Sequence, residues 1–436
     1  MNKLFHAITE LNTAPGSPTG RSTPGPEPVR AHGERWQGME KILILDGNAR
    51  SALAATRSLG RRGVPVVVAD ETKRTLSGSS KYCNESFTYP SPTADLRSFL
   101  STVKAECSRR GIRVIFPMTE ISMAAVLKFR EEFQEFQLPF VDFRKFDAMT
   151  DKWNLMRLAQ RLNITIPQTH YIADARSLRQ ACPDLKFPVV LKPYRSMIWT
   201  NGRCTAASVR YAESVRELER TVAQYEYFGG NPFLLQEYIP GQAHGIFALY
   251  NRGKLVASFA HRRLRENPPS GGVSVLCESV EKNPGAWRMA KTLLDHMAWH
   301  GVAMVEFKVS ADGTPYLMEV NARFWGSLQL AIDAGVDFPW LLYQLATGRD
   351  VESVNGYVIG VKSRWLWGDF KRLCKVLAGS ELPPGLRFPR SMRSIFQFFN
   401  LFDSHTRCEE SRWHDLKPFF LQLAKSASHW LSKIIA

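Results

Sequence analysis

The chain has 436 residues, 44% of them hydrophobic and 11% aromatic, which is enough apolar surface for two or three domains with buried cores. This composition excludes a chain that is disordered throughout. No run of eighteen apolar residues and no apolar leader with a cleavage site is present, so we expect neither a membrane-spanning helix nor export. The formal net charge of +16 favours anionic ligands, but no nucleic-acid-binding motif accompanies it, and we expect no nucleic-acid partner.

Cysteine usage indicates the compartment. The seven cysteines are scattered along the chain and form no C-x-x-C pair. An odd, dispersed set in a chain of this size is typical of reduced thiols. We therefore expect a cytoplasmic protein.

The first 38 residues predict a disordered tail. The stretch 12–28 is rich in Pro, Gly, Ser and Thr and has almost no apolar residues. Such a segment buries too little surface to offset the entropy lost on ordering.

Residues 39–145 alternate between strand and helix patterns. An apolar run at 41–45 precedes a helical stretch at 49–63 and a second strand at 64–70, and a helix near 94–110 precedes a strand at 114–117. This order predicts βαβ units and a parallel, Rossmann-like sheet. Asp46 and Glu120 follow the first and last of these strands, at the edge where open α/β sheets bind ligands, so we consider them either ligand-binding or loop-capping residues. The dinucleotide fingerprint G-x-G-x-x-G is not present after the first strand, so we do not predict NAD binding.

Residues 146–350 predict an antiparallel α+β centre. A helix at 151–162 has Thr150 or Asp151 as its N-cap, and a helix is predicted at 212–226. Ala311-Asp312-Gly313-Thr314 predicts a hairpin turn. The predicted strands lie at 187–193, 233–239, 245–250, 254–260, 302–309 and 315–320.

Residues 351–436 predict a helical region that is basic. Residues 360–436 contain 13 Lys and Arg against 6 Asp and Glu. Between 418 and 435, apolar side chains recur at helical spacing, which predicts a helix packed on the enzyme body. Peripheral contact with a membrane surface is the alternative, because Lys425, Trp430 and Lys433 suit an interface.

The hairpin at 302–323 carries the clearest chemistry. Glu306 and Glu319 each lie between apolar neighbours on adjacent strands, followed by Asn321 and Arg323. A carboxylate within an apolar strand is costly to bury unless it is paired or bound to a metal. Two carboxylates and an amide oxygen predict a magnesium site, and Arg323 is positioned to neutralise a transferred phosphoryl group. The alternative is a surface hairpin with outward-facing acids.

Four stretches, in order, resemble the ATP-grasp superfamily. Met318-Glu319-Val320-Asn321-Ala322-Arg323, with Val305-Glu306-Phe307 upstream, resembles its metal-binding end. The other three are Asp151-Lys152-Trp153, Val189-Val190-Leu191-Lys192-Pro193 and Gln236-Glu237-Tyr238-Ile239-Pro240-Gly241. The resemblance covers about residues 40–345 and is closest to carboxylate–amine ligases and the carbamoyl-phosphate-synthase-like branch.

The resemblance implies an architecture and a set of nucleotide contacts. It implies a Rossmann-like pre-ATP-grasp domain at 39–145, a two-lobed ATP-grasp domain at 146–350 with its small lobe at about 165–240, and a helical region at 351–436. Lys152 and Lys192 would contact the ATP phosphates, while Gln236, Glu237, Tyr238 and Ile239 would bind adenine. Glu306, Glu319 and Asn321 would hold Mg²⁺, with Mn²⁺ as an alternative.

Two stretches depart from the family pattern. The segment 195–207, which corresponds to a phosphate loop of small residues, contains Met197, Ile198 and Trp199. Where many members carry a ribose-binding Glu, this chain has Ala243, followed by His244, which is either its substitute or a structural histidine.

A basic segment, His261-Arg262-Arg263-Leu264-Arg265, corresponds to the border of the acyl-phosphate site in related ligases. Strand alternation would place Arg263 and Arg265 on one face, and we expect that face to line the cleft. The alternative is a solvated basic strand end.

Together these features predict an ATP- and Mg²⁺-dependent ligase that activates a carboxylate as an acyl phosphate and joins it to an amine, with an amino acid or peptide-like substrate. The alternative is an ATP-grasp homologue that binds nucleotide and has a regulatory or scaffold role without ligase turnover.

Overall fold

The computed structural model describes residues 38–174, 177–181, 184–200, 203–379, 391–399 and 406–435. The predicted tail lies outside the described residues except for Gly38. The residues from Gly38 onward belong to one compact unit.

The N-terminal part is a four-stranded parallel sheet in the order β3-β2-β1-β4. Every residue of β1, β2 and β4 is buried, which is typical of a parallel sheet covered on both faces. The predicted βαβ arrangement is confirmed. The elements are β1 (Ile42–Ile44), α1 (Arg50–Arg61), β2 (Val66–Asp70), β3 (Glu85–Thr88), α2 (Leu96–Arg110), β4 (Val114–Phe116), α3 (Glu120–Lys128) and α4 (Phe143–Thr150).

The next part contains a second four-stranded sheet, which is antiparallel and has the order β5-β10-β6-β9, and a separate two-stranded hairpin, β7-β8. Its elements are α5 (Lys152–Arg161), β5 (Thr169–Ile172), α6 (Leu178–Ala181), β6 (Val189–Pro193), β7 (Met197–Thr200), β8 (Arg203–Ala206), β9 (Arg210–Ala212), α7 (Val215–Gln224), α8 (Glu226–Gly229) and β10 (Phe233–Glu237). This sheet corresponds to the predicted small lobe.

A seven-stranded sheet in the order β15-β14-β11-β12-β13-β16-β17 forms the large lobe. Its pairs are antiparallel except β16 with β17. The elements are β11 (Gln242–Asn251), β12 (Lys254–Asn267), β13 (Val273–Ser279), α9 (Pro284–His296), β14 (Gly301–Val309), β15 (Pro315–Asn321), α10 (Leu328–Asp333), α11 (Phe338–Ala346), β16 (Lys362–Arg364) and β17 (Thr406–Cys408). The two strands β16 and β17 were not predicted, and they extend the large-lobe sheet into the C-terminal region.

The C-terminal helices are α12 (Leu366–Leu377), α13 (Ser391–Phe399) and α14 (Lys417–Ile435). None of the described helices is long and apolar enough to cross a membrane. On α14, Phe420 and Leu423 are exposed, while the side chains of Trp430 and Lys433 lie outside the described part. Lys425 of α14 donates to Asn48 at 2.8 Å, so this part of the helix contacts the N-terminal part of the protein. Membrane contact of Trp430 and Lys433 stays a prediction.

Candidate active site

The register of β14 and β15 places the two predicted carboxylates side by side. Glu306 pairs with Glu319, and Met304 pairs with Asn321. Because side chains two residues apart on a strand share a face, Glu306, Glu319 and Asn321 all lie on one face of the large-lobe sheet. Beyond Glu306 the pairing moves to Phe307 with Leu317, so Met318 is an extra residue in a bulge.

Asn321 bridges the two carboxylates. Its Nδ2 donates to Glu306 Oε1 at 2.9 Å and to Glu319 Oε1 at 3.3 Å. Burial raises the pKa of Glu306, and the neighbouring Glu319 raises it further, although Arg263 opposes both effects. Burial also acts to raise the pKa of Glu319, but Lys152, followed by Lys192 and Arg263, outweighs it, and the net shift is downward. The site therefore keeps Glu319 ionised.

Lys152 approaches this pair from the start of α5. Its Nζ lies 3.6 Å from Glu319 Oε2, and its side chain is buried. Of the two predicted N-caps of α5, Thr150 and Asp151, the structure has Asp151, whose side chain accepts from the backbone N–H of Asn154. The backbone N–H of Lys152 donates to the carbonyl of Tyr194 at 3.0 Å, so the start of α5 is attached to the end of β6.

Lys192 approaches from β6 in the small lobe. Its Nζ lies 3.4 Å from the sulfur of Met318, the bulged residue of β15. Burial lowers the pKa of Lys192 to about 8; Glu319 opposes this shift and Lys152 adds to it. Two amines thus face one carboxylate pair, Lys152 from α5 and Lys192 from the small lobe, and a polyphosphate would relieve their mutual repulsion.

Arg263 completes the cluster from β12. One of its nitrogens, Nη2, lies 2.6 Å from Glu306 Oε2. The other, Nη1, lies 3.0 Å from Glu266 Oε1 and also donates to the carbonyl of Gly272. Burial acts to lower the pKa of Arg263, but Glu306 and Glu266 outweigh it, so the net shift is upward and the guanidinium stays charged. Glu266 was not predicted, and strand alternation gives no signal for it, because residues three apart on a regular strand face opposite sides; the irregular register of β12 brings it to Arg263.

The expectation that Arg265 shares the cleft face with Arg263 is wrong. Arg263 pairs with Cys277, whereas Arg265 pairs with Leu276, because Leu264 is an extra residue in a bulge of β12. Adjacent residues of β13 face opposite sides, so the bulge turns Arg265 away from Arg263. Arg265 instead lies 2.9 Å from Asp369 of α12.

Arg323 lies beside the carboxylates and is held by local contacts. Its Nη1 donates to the carbonyl of Phe324 at 2.8 Å, and its Nη2 donates to Asn321 Oδ1 at 3.0 Å. Asn321 therefore presents its amide nitrogen to the carboxylates, and it would act as a metal ligand only with its amide oxygen in that place. The carboxylates are oxygen donors that fit Mg²⁺, which also accepts water and phosphate oxygens.

The predicted adenine-binding segment begins with the last two residues of β10 and continues beyond the strand. Gln236 is buried, and its Nε2 donates to Thr169 at 2.9 Å, while Glu237 is exposed. Pairing of β10 with its neighbours ends at Glu237, so the backbone of Tyr238 and Ile239 lies outside the ladder. This backbone is available to an adenine edge, and Ile239 is buried beside it.

His244 is on the wrong face of the sheet for its predicted nucleotide role. It pairs with Arg262 and Phe307, whereas Gly245 pairs with Glu306. Alternation therefore places His244 on the face opposite the carboxylates, and Ala243 on the carboxylate face. Burial, followed by Arg262, lowers the pKa of His244 to about 4, which is consistent with a neutral structural histidine.

The segment 195–207, which departs from the family pattern in sequence, contains the β-hairpin of β7 and β8. Residues 201 and 202 and the side chain of Trp199 lie outside the described part. Arg195 precedes the hairpin, and its Nη2 lies 2.9 Å from Asp147 and 3.5 Å from Asp151. The two lobes are also joined, because the Tyr211 hydroxyl of β9 in the small lobe donates to the carbonyl of Ser270 in the large lobe at 2.6 Å. Sequence reasoning missed both contacts, since each joins segments that are distant in the chain.

Asp46 has a structural role at the edge of the N-terminal sheet. It accepts from the backbone N–H groups of Met118 and Thr119 at 3.0 and 2.9 Å and also bonds Ser122 and Tyr89. These contacts make Asp46 a loop-capping residue, the alternative considered above. Glu120 is the first residue of α3, whose N-cap is Thr119.

Comparisons with known proteins agree with this geometry. Residues 230–366 match the family model described as ATP-grasp in the biosynthetic pathway with Ter operon. No curated protein matches the chain in sequence.

Among solved structures, the L-amino acid ligase from Bacillus licheniformis is similar at a TM-score of 0.57 and 18% identity, covering 71% of this chain and 75% of that chain. The ADP complex of N5-carboxyaminoimidazole synthetase from Staphylococcus aureus has a TM-score of 0.59 at 13% identity, covering 76% and 83%. The biotin carboxylase domain of 2-oxoglutarate carboxylase from Hydrogenobacter thermophilus, solved with MgADP and bicarbonate, has a TM-score of 0.60 at 14% identity, covering 75% and 74%. Residues 230–366 therefore match an ATP-grasp family model, and the chain shares the fold of these solved structures.

Proposed function

We propose that this protein is an ATP- and Mg²⁺-dependent ligase that activates a carboxylate as an acyl phosphate and joins it to an amine, with an amino acid or peptide-like substrate. The observation that carries the proposal is the pair Glu306 and Glu319, opposite each other in register and facing Lys152 of α5 and Lys192 of the small lobe. Acids that hold a cation, beside amines that attract phosphates, suit a magnesium–nucleotide complex.

Each part of the cleft has a role in this proposal. Adenine lies against the backbone of Tyr238 and Ile239, and Lys152 and Lys192 bind the phosphate oxygens. Glu306 and Glu319 would hold the cation, and Asn321 would join them with its amide oxygen turned toward them; Mn²⁺ is the alternative to Mg²⁺. When bound, the cation supplies neutralising charge to the phosphate oxygens.

The chemical steps need positioning and charge neutralisation more than a protein nucleophile. A substrate carboxylate oxygen attacks the γ-phosphorus of ATP, the bond to the β–γ bridging oxygen breaks, and ADP leaves. The amine nitrogen then attacks the acyl carbon, inorganic phosphate leaves, and the amine proton passes to water. Arg263, fixed between Glu306 and Glu266, and Arg323 next to Asn321 are positioned to bind the acyl phosphate oxygens.

The similar proteins support this reaction class. One is an L-amino acid ligase, and two others, a synthetase and a biotin carboxylase domain, were solved with ADP. Their identity to this chain is 18% or less, so the substrate itself is part of the proposal.

Release of ADP and phosphate over a panel of amino acids and other carboxylates, each paired with amines, tests the proposal. We expect release only when a suitable pair is present, with a new amide detected by mass spectrometry. The Lys192→Gln variant, purified identically, reports contaminating ATPase, since it lacks one phosphate-binding charge. ATP binding without stimulated release from any pair would contradict the ligase assignment.

A second function, nucleotide binding without turnover, is favoured by one observation. Ala243 faces the carboxylates where many family members carry a ribose-binding Glu. A regulatory or scaffold protein would bind ATP in calorimetry but release no ADP with any substrate pair, so the same panel separates the two functions.

A further inference from the structure

A groove of about 710 Å³ lies on another part of the molecule, between the N-terminal part and the large lobe. It is bounded by the segment after α3, the turn between β11 and β12, and the end of α11. Phe133, Phe136 and Leu138 border it, but their side chains are buried in the core, so the groove offers a ligand mainly polar surface.

The ionisable side chains that line this groove are all basic. They are Arg130, Arg252, Lys254 and His300, and the lining contains no Asp or Glu. Within the described part of the chain, no ion pair involves Arg130, Arg252 or Lys254. Burial, followed by Arg252 and Arg130, lowers the pKa of His300, so these groups are close enough to repel one another. Asp142, outside the lining, is close enough to act on Arg130, but the lining itself carries only basic groups, and such a concentration of like charge attracts anions.

Local hydrogen bonds hold the basic groups in place. Arg130 Nη2 donates to the carbonyls of Leu138 and Phe140 at 3.1 and 2.7 Å, while its buried Nε has no partner among the described residues. The backbone N–H of Arg252 donates to His300 Nδ1 at 3.3 Å. The His300 ring also hydrogen-bonds the backbone of Tyr250, so its position is fixed from two sides.

This groove is separate from the ATP-grasp cleft. The strand β11 begins at Gln242, next to the cleft, and ends at Asn251, which lines the groove. Ten residues of strand span roughly 30 Å. A ligand in the groove therefore does not share the phosphate-binding lysines.

We propose that the groove binds a small polyanion. Its phosphate or carboxylate groups contact Arg130, Arg252 and Lys254. The volume is within the range of small-molecule sites, and several cationic groups converge on it. The proposal is independent of the reaction in the cleft.

Calorimetric titration of the full chain with pyrophosphate, and separately with citrate, at fixed ionic strength tests the proposal. The Arg252→Gln/Lys254→Gln variant changes two exposed residues of a turn. The Lys104→Gln/Arg216→Gln variant removes the same charge from exposed helix positions outside the groove. The Lys192→Gln variant removes a phosphate-binding charge from the cleft.

We expect the groove variant to bind the preferred probe about tenfold more weakly or worse, and the helix variant and Lys192→Gln to keep a wild-type binding event. Tighter binding of pyrophosphate identifies a phosphate ligand, and tighter binding of citrate identifies a polycarboxylate. Loss of the binding event in Lys192→Gln, unchanged binding in the groove variant, or no binding of either probe to the wild type would overturn the proposal.

Discussion

The protein has two close pairs of carboxylates, Glu306 with Glu319 and Glu409 with Glu410, and they are built in different ways. The first pair meets across two strands of a hairpin, whereas the second consists of consecutive residues just after β17. The side chain of Glu319 is 34% exposed, while Glu410 as a whole residue is 2% exposed. Only the first pair is accessible to a ligand.

The cations around the C-terminal pair are already used by the protein. Arg50 lies 2.8 Å from Glu409. Arg57 lies 2.8 Å from Asp415 and also donates to the backbone carbonyls of Glu409, Glu410 and Asp415. These contacts attach α1 to the segment after β17, so this charge cluster is structural.

The cations around the cleft pair are less fully used. Lys152 lies 3.6 Å from Glu319, and Lys192 contacts the sulfur of Met318. Neither ammonium has its full set of three acceptors among the described residues. A close pair of carboxylates therefore does not by itself indicate a catalytic site. A better indication is a pair that a ligand can reach, next to cations whose N–H donors are not all used by the protein.

The largest expected effect comes from Glu319→Gln. The change preserves shape but removes the charge that Lys152 and the cation need. We expect turnover to fall on the order of 10³-fold, because several kcal/mol of charge stabilisation in the transition state is lost. Steady-state ADP release, with the melting temperature measured in parallel, checks this.

The control for that change is Glu278→Gln. Glu278 lies on β13, pairs with Arg262 at 2.7 Å, and belongs to the opposite face of the same sheet. We expect its turnover to remain within about threefold of the wild type. Full activity of Glu319→Gln would show that the metal assignment is wrong.

A smaller effect, on stability, is expected from Glu410→Gln. Burial, followed by the neighbouring Glu409, raises the pKa of Glu410 to about 7 from 4.5. The folded state thus binds a proton more tightly than the unfolded state, and the stability of the wild type falls as pH rises from about 4.5 to about 7. The amide cannot ionise, so the variant should gain up to about 3 kcal/mol over the wild type at pH 8 and little at pH 4.5.

Urea unfolding at the two pH values measures this gain. The exposed Glu352→Gln variant is the control, for which we expect the same pH dependence as the wild type. An equal effect of Glu410→Gln at both pH values would show that Glu410 is ionised throughout or is not buried in solution.

The elements with strong local patterns were predictable from the sequence. The parallel strands β1, β2 and β4 have continuous apolar runs, and the hairpin of β14 and β15 has a clear turn. The three-residue strand β16, Lys-Ser-Arg, has no such pattern, because it is defined by its pairing with β13 and β17. A short strand that depends on distant partners leaves no periodic signal.

The candidate site divides in the same way. Glu306, Glu319 and Asn321 were predictable because the hairpin turn sets their register. The face of Arg265 was not, because one bulge at Leu264 reverses the alternation after it. Long-range contacts such as Arg195 with Asp147 require the tertiary structure.

The smallest expected effect is that of His244→Gln, which tests the facing of β11. His244 shares its face with Phe307, away from Glu306, so the change should leave the KM for ATP within about twofold of the wild type. Lys192→Gln, measured alongside, should raise the same KM strongly, because it removes a charge that faces the carboxylates. A rise in KM with His244→Gln comparable to that of Lys192→Gln would place the nucleotide on the opposite face of the sheet. The accessible carboxylate pair would then lose its claim to be the catalytic one.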